Sequence, residues 1–97
     1  SSYYKAVQTW IKSQHQWSIS IKSILVSPSV VSSINIAIRA YTKKNEAVLV
    51  QTPIYSPFFN SVKNNNRLLV DSPLVLNNGK YYIDFNDFEQ KIKLHSV

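Results

Sequence analysis

Apolar residues recur along this chain with two alternating periods. Over residues 2–15, Tyr3, Val7, Trp10, Ile11 and Gln14 fall three and four apart, while Lys5, Gln8, Lys12 and Ser13 lie off that line. The spacing predicts a helix with one inward stripe. Residues 23–27, inside SILVSPS, read as a short strand stopped by Pro28. Helical spacing returns over 29–45, where Val30 or Val31, Ile34, Ala37, Ile38 and Tyr41 share a stripe. Ser29 is placed to cap that helix and Asn45 to end it in the left-handed conformation. AVLVQ, 47–51, is apolar throughout, as strands buried on both faces are.

Ser56-Pro57 then reads as a capping residue followed by proline at the first helical position. Phe58, Phe59 and Val62 supply the apolar side of this helix, and Asn64-Asn65-Asn66 ends it. RLLVD, 67–71, is a third strand, and 74–84 reads as a hairpin around Asn78-Gly79. A last helix spans 86–93, with Asn86 as cap, Glu89 three residues later, and Phe88 and Ile92 facing inward. Strands alternating with helices predict an α/β layer with a parallel sheet, in the order αβαβαβ with a short hairpin before the final helix. At 97 residues this is one small domain.

Composition narrows the class. With 44% hydrophobic residues the chain can build a core, and no apolar run approaches the roughly 20 residues of a membrane span. The N-terminal residues lack the basic-then-apolar layout of a signal peptide, which fits a cytoplasmic protein. There is no cysteine, so disulfides and thiolate metal sites are excluded. The net charge of +6 lies mostly in residues 1–48, where six bases face Glu46 alone. Those bases are spread singly apart from Lys43-Lys44, which reads as a solvated face rather than a nucleic-acid surface.

Chemistry in an open α/β sheet belongs at the carboxyl ends of the strands, where helix N-termini also point. Two stretches have that form. Ser27-Pro28-Ser29-Val30-Val31 runs from strand into helix, and helix-start N–H groups with a capping hydroxyl can hold a phosphate. Pro53-Ile54-Tyr55-Ser56-Pro57 sets an aromatic ring at the end of the next strand. Each also has a plainer reading: Ser29 as a cap only, Tyr55 as a core-edge residue with a solvated hydroxyl. His15 and His95 stand apart without acidic or cysteine company, so no metal site is expected. No glycine-rich phosphate loop is present.

The stretches YYKAVQTWIKSQHQW, ILVSPSVVSSINIAIRAYT, VLVQTPIYSPFFNSVKNNNR and NNGKYYIDFNDFE occur in an order that resembles the class I/II aminotransferases of pyridoxal 5'-phosphate (PLP) fold type I. Within them, the similarity is to the cystathionine β-lyase-like C–S lyases. The pairing of Ser-Pro-small-Val-Val with Pro-x-Tyr-x-Pro-Phe some two dozen residues later carries most of that likeness. The resemblance implies a partial PLP-binding large domain, with 1–22 as an N-terminal helix and connection and 23–97 as its first part. It assigns Ser29, Val30 and Val31 to the cofactor phosphate and Tyr55 to stacking on the pyridine ring. It also implies an amino-acid substrate and a homodimer.

The family's cofactor-linking lysine lies further along the chain, and none of the nine lysines here matches it. The resemblance therefore implies a piece of an enzyme, inactive alone and prone to self-association, with no catalytic residue of its own. A non-catalytic basic α/β module binding an anionic partner is the alternative; it predicts nucleic-acid affinity that falls steeply with salt.

Overall fold

The computed structural model describes all residues, 1–97. Four helices form: α1 (Ser2–His15), α2 (Val30–Tyr41), α3 (Ser56–Asn64) and α4 (Phe85–His95). Four short strands accompany them: β1 (Ala47–Val50), β2 (Leu68–Asp71), β3 (Val75–Asn77) and β4 (Lys80–Tyr82). β1 pairs with β2 in parallel, Ala47 opposite Leu68 through Val50 opposite Asp71. β3 and β4 form the expected antiparallel hairpin, with Asn78 and Gly79 both at positive φ in its turn. The α/β class and the element order from α2 onward hold.

The strand expected at 23–27 does not form. Ile21–Ser23 is a turn of 3-10 helix started by Ser20, whose Oγ accepts from the Lys22 N–H at 3.2 Å. Residues 24–28 then run without a ladder partner, leaving Leu25 89% exposed. An apolar extended segment becomes a strand only when a neighbour takes its backbone groups, and none here does so. The parallel sheet consequently has two strands.

Helix ends also depart from expectation. α2 stops at Tyr41, where β-branched Thr42 turns extended; Asn45 is left-handed (φ 68°), but in the following turn, donating its N–H to the Asn66 carbonyl at 2.8 Å. Tyr41 is solvent-exposed, and the inward line of α2 runs through Ile34, Asn35 and Ile38 instead. Tyr55, not Ser56, is the residue before α3, which makes Pro57 the second helical residue. α4 begins two residues early because Asp84, not Asn86, caps it, accepting from the Asp87 N–H at 3.0 Å. Glu89 pairs with Lys93 (2.7 Å) rather than reaching back to the cap. On α1 no residue is buried, so its apolar stripe is only partly covered; the Gln8 amide ties it to the connection through the Ile19 carbonyl at 2.6 Å.

The core is small. Ile38, Val50 and Val62 form its centre, and Ile34, Val48, Ile54, Phe59 and Leu69 pack around them. Between α2 and α3 a polar seam joins the helices: Asn35 donates to Ser61 Oγ (2.9 Å), and Asn65 donates to Asn35 Oδ1 (2.6 Å) and to the Ser61 carbonyl (2.7 Å). Arg67 closes the far end. Its guanidinium donates to Thr42 Oγ1 (2.8 Å), the Thr42 carbonyl (2.6 Å) and the Asn65 carbonyl (2.6 Å). One cation thus satisfies groups at the C-terminal ends of both helices, where the helix dipole also favours positive charge.

Hydrogen bonds to a charged group contribute about 1.5–3 kcal/mol, so Arg67→Ala is expected to cost that much in urea unfolding. Arg67→Lys should recover less than half, because an ammonium cannot span three acceptors set as a fork. A loss in Arg67→Ala of under about 0.5 kcal/mol would show that the latch contributes little.

Candidate functional site

Topology brings the two predicted stretches to one edge. Parallel strands require a crossover, so α3 runs from the carboxyl end of β1 back to the start of β2. α2 ends just before β1, as the Arg67 contacts between Thr42 and Asn65 record, so its own N-terminus lies at the opposite, carboxyl edge. Ser29 and Tyr55 are therefore both at the edge where open α/β sheets bind ligands. No hydrogen bond joins the two stretches. Ser29 and Val30 border a cleft of about 420 Å³ with Tyr3, Val7 and the 24–27 segment, and Tyr55 is not part of its wall.

At the α2 start, Ser29 acts as a cap. Its Oγ accepts from the Ser32 N–H (3.1 Å) and donates to Ser32 Oγ (3.0 Å), and its carbonyl accepts from the Ser33 N–H (3.0 Å). With the hydroxyl so engaged, the unpartnered donors are the N–H groups of Val30 and Val31. No acidic residue lies in this first turn. That combination suits an anion: free N–H groups at the positive end of a twelve-residue helix.

Tyr55 follows from the way β1 ends. The ladder bonds to β2 reach Val50 and Thr52, and the Thr52–Pro53 peptide bond that follows is cis. Ile54 turns into the core, and Tyr55 turns out, 66% exposed. Phe58 meets its ring edge-on, with centroids 5.7 Å apart at 88°. Such a perpendicular contact steadies an aromatic ring and covers at most one of its faces, leaving another for stacking.

Two residues at this edge were not singled out from the sequence. Thr52 donates its N–H to Asp71 Oδ1 (3.2 Å), and its hydroxyl lies 3.1 and 2.9 Å from the two oxygens of that carboxylate. Asp71 is the only acidic residue between Glu46 and Asp84, and it ends a strand, which was the available signal. Behind it, Ser72 Oγ, nearly fully buried, donates to Asp87 on α4 at 2.6 Å. Lys91 pairs with Asp87 (3.2 Å) and also donates to the Asp71 carbonyl. The Ser72 hydroxyl, and then Lys91, hold the Asp87 carboxyl below its ordinary range against the opposing effect of desolvation.

No protein-family model matches this chain. The cystathionine β-lyase PatB of Bacillus subtilis (strain 168) is 39% identical over 92 residues, which make up 95% of this chain and 24% of that protein. Cystalysin from Treponema denticola, whose crystal structure contains a PLP cofactor, matches the fold with a TM-score of 0.86 and 38% identity, over 91% of this chain and 22% of that one. A PLP-bound C–S lyase from Staphylococcus hominis matches with a TM-score of 0.93 and 28% identity, over 98% and 25% of the two chains. Fold and sequence together relate the chain to the PLP-dependent aminotransferases and C–S lyases of fold type I. Within that class its sequence likeness is to the cystathionine β-lyases. It spans about a quarter of the length of these relatives.

The lowered Asp87 pKa has a testable sign. A carboxyl favoured in its charged form contributes stability that is complete above its unfolded pKa and is lost as pH falls through the lower folded value. Asp87→Asn should therefore be less stable than the native chain at neutral pH, with the difference shrinking in acid below the ordinary carboxylate range. Circular dichroism across an acid titration measures this, and parallel curves for the two proteins would contradict it.

Proposed function

We propose that this chain is the part of a longer, cytoplasmic PLP-dependent enzyme that holds the cofactor's phosphate and ring. The carrying observation is the placing of two unpartnered helix-start N–H groups and an uncovered tyrosine at one sheet edge, in a chain 39% identical to a cystathionine β-lyase. The residues present fit the group. A phosphate is met by the N–H groups of Val30 and Val31, which Ser29 orients by fixing the first turn of α2. A flat pyridine ring is met by the face of Tyr55.

PLP, when bound, supplies an electron sink for chemistry at an amino acid's α-carbon. The residues of this chain bind and orient; none of its nine lysines matches the one to which the family links the cofactor. The reaction of the whole enzyme is read as β-elimination across a C–S bond, with transamination as the neighbouring possibility in the same family. An amino-acid substrate and a homodimer complete the reading. The 97 residues alone are expected to be inactive. No helix is long and apolar enough to cross a membrane. A basic module for an anionic partner has no comparable support.

In the full-length enzyme, Tyr55→Ala is expected to weaken PLP affinity about fivefold to 150-fold, taking aromatic stacking on a base as the analogue at about 1–3 kcal/mol. Tyr55→Phe should retain most of it, since the ring matters before the hydroxyl. Unchanged affinity in Tyr55→Ala, measured by equilibrium dialysis, removes Tyr55 from the site.

Ser29→Asp separates capping from phosphate binding. Aspartate caps as well as serine and suits the helix dipole, so thermal stability should hold. PLP affinity should fall sharply, because a carboxylate then faces the phosphate at the same N–H groups. Affinity and stability both retained would leave Ser29 a cap and nothing more.

A further inference from the structure

At the point where β1 ends, a side chain has taken over the work of the sheet. The β1–β2 ladder continues past both strands, with the Ser72 N–H donating to the Val50 carbonyl (2.9 Å) and the Leu74 N–H to the Thr52 carbonyl (2.7 Å). The Thr52 N–H does not go to a backbone carbonyl. It goes to the carboxylate of Asp71, which the Thr52 hydroxyl also reaches. Thr52 is thus fixed through its N–H, its carbonyl and its side chain at once. The next residue cannot donate, the one after it is packed in the core, and the one after that is Tyr55.

Asp71 is itself anchored without using its carboxylate. Lys91 from α4 takes its carbonyl, and its neighbour Ser72 is buried and bonded to Asp87. The carboxylate is therefore presented from a fixed base to a residue whose facing groups are both donors. Two acceptor oxygens with no competing N–H or O–H are what such a pair needs, and charge makes each bond stronger than its neutral counterpart.

We propose that Asp71 is a positioning residue for the cofactor-facing turn: by holding Thr52 it sets where β1 releases the chain and so where the Tyr55 ring stands. This deepens the reading of Tyr55 given above and rests on it. Asp71 acts through Thr52 and need not touch the cofactor.

Hydrogen–deuterium exchange of the full-length enzyme tests the positioning directly. Asp71→Ala should speed exchange across 51–58 about tenfold or more, with Asp71→Asn intermediate because it keeps one acceptor oxygen. Residues 30–41 and 59–70 should be unaffected. No acceleration across 51–58, or equal acceleration everywhere, overturns the proposal. In the full-length enzyme, Asp71→Ala should weaken PLP affinity, and should add little when combined with Tyr55→Ala, as expected of two residues acting as one unit. Tyr55→Ala weakening PLP while Asp71→Ala does not would overturn the positioning alone. Tyr55→Ala without effect would overturn the reading of Tyr55, and with it this role for Asp71, whatever the exchange data show.

Discussion

The parallel pairing of β1 with β2 is the constraint on which the remainder hangs. Two parallel strands cannot be joined by a tight turn, so the chain between them must cross the sheet, and α3 is that crossing. Once α3 runs back along the sheet, its start can lie only at the carboxyl edge. α2 feeds β1 from the amino edge, and its start is carried to the same place. The position of the candidate cofactor groups is thus a consequence of strand direction. Arg67 secures the arrangement from the opposite end, and the Asn35–Ser61–Asn65 seam keeps the two helices in register.

Much of this was legible in the sequence, and the failures share a cause. α1, the β1 and β2 strands, the Asn78-Gly79 hairpin and the capping role of Ser29 rest on local patterns and appear where those patterns place them. The strand at 23–27 depends on a partner, which periodicity cannot supply. Asn86 and Ser56 are of residue types that cap well, yet Asp84 and Tyr55 occupy those places. A carboxylate two residues earlier competes for the same orphan N–H groups, and the turn after Pro53 decides where α3 starts. The Thr52–Asp71 contact joins residues nineteen apart, and no local signal pairs them.

The resemblance to PLP enzymes and the physical reading meet at different depths. Helix-start N–H groups and an exposed aromatic ring describe an anion and a flat ligand, and physical chemistry alone goes no further. The likeness to cystathionine β-lyases is what the proposal of a cofactor and a reaction class for that pair rests on. Under the proposed function the chain contributes recognition: donors for charge, a surface for a ring and a buttressed turn ahead of that ring.

The turns carry one more consequence. Asn45, Asn66 and Asn78 adopt left-handed conformations for which glycine is the usual choice, and the chain has a single glycine. Glycine enters such turns without strain but roams more widely when unfolded, so ordering it costs more entropy. Asparagine accepts some steric strain in the native turn and in return leaves a narrower unfolded ensemble to be ordered. Part of this protein's stability is therefore held in what its disordered chain is unable to explore, a reserve that appears in no contact of the folded form.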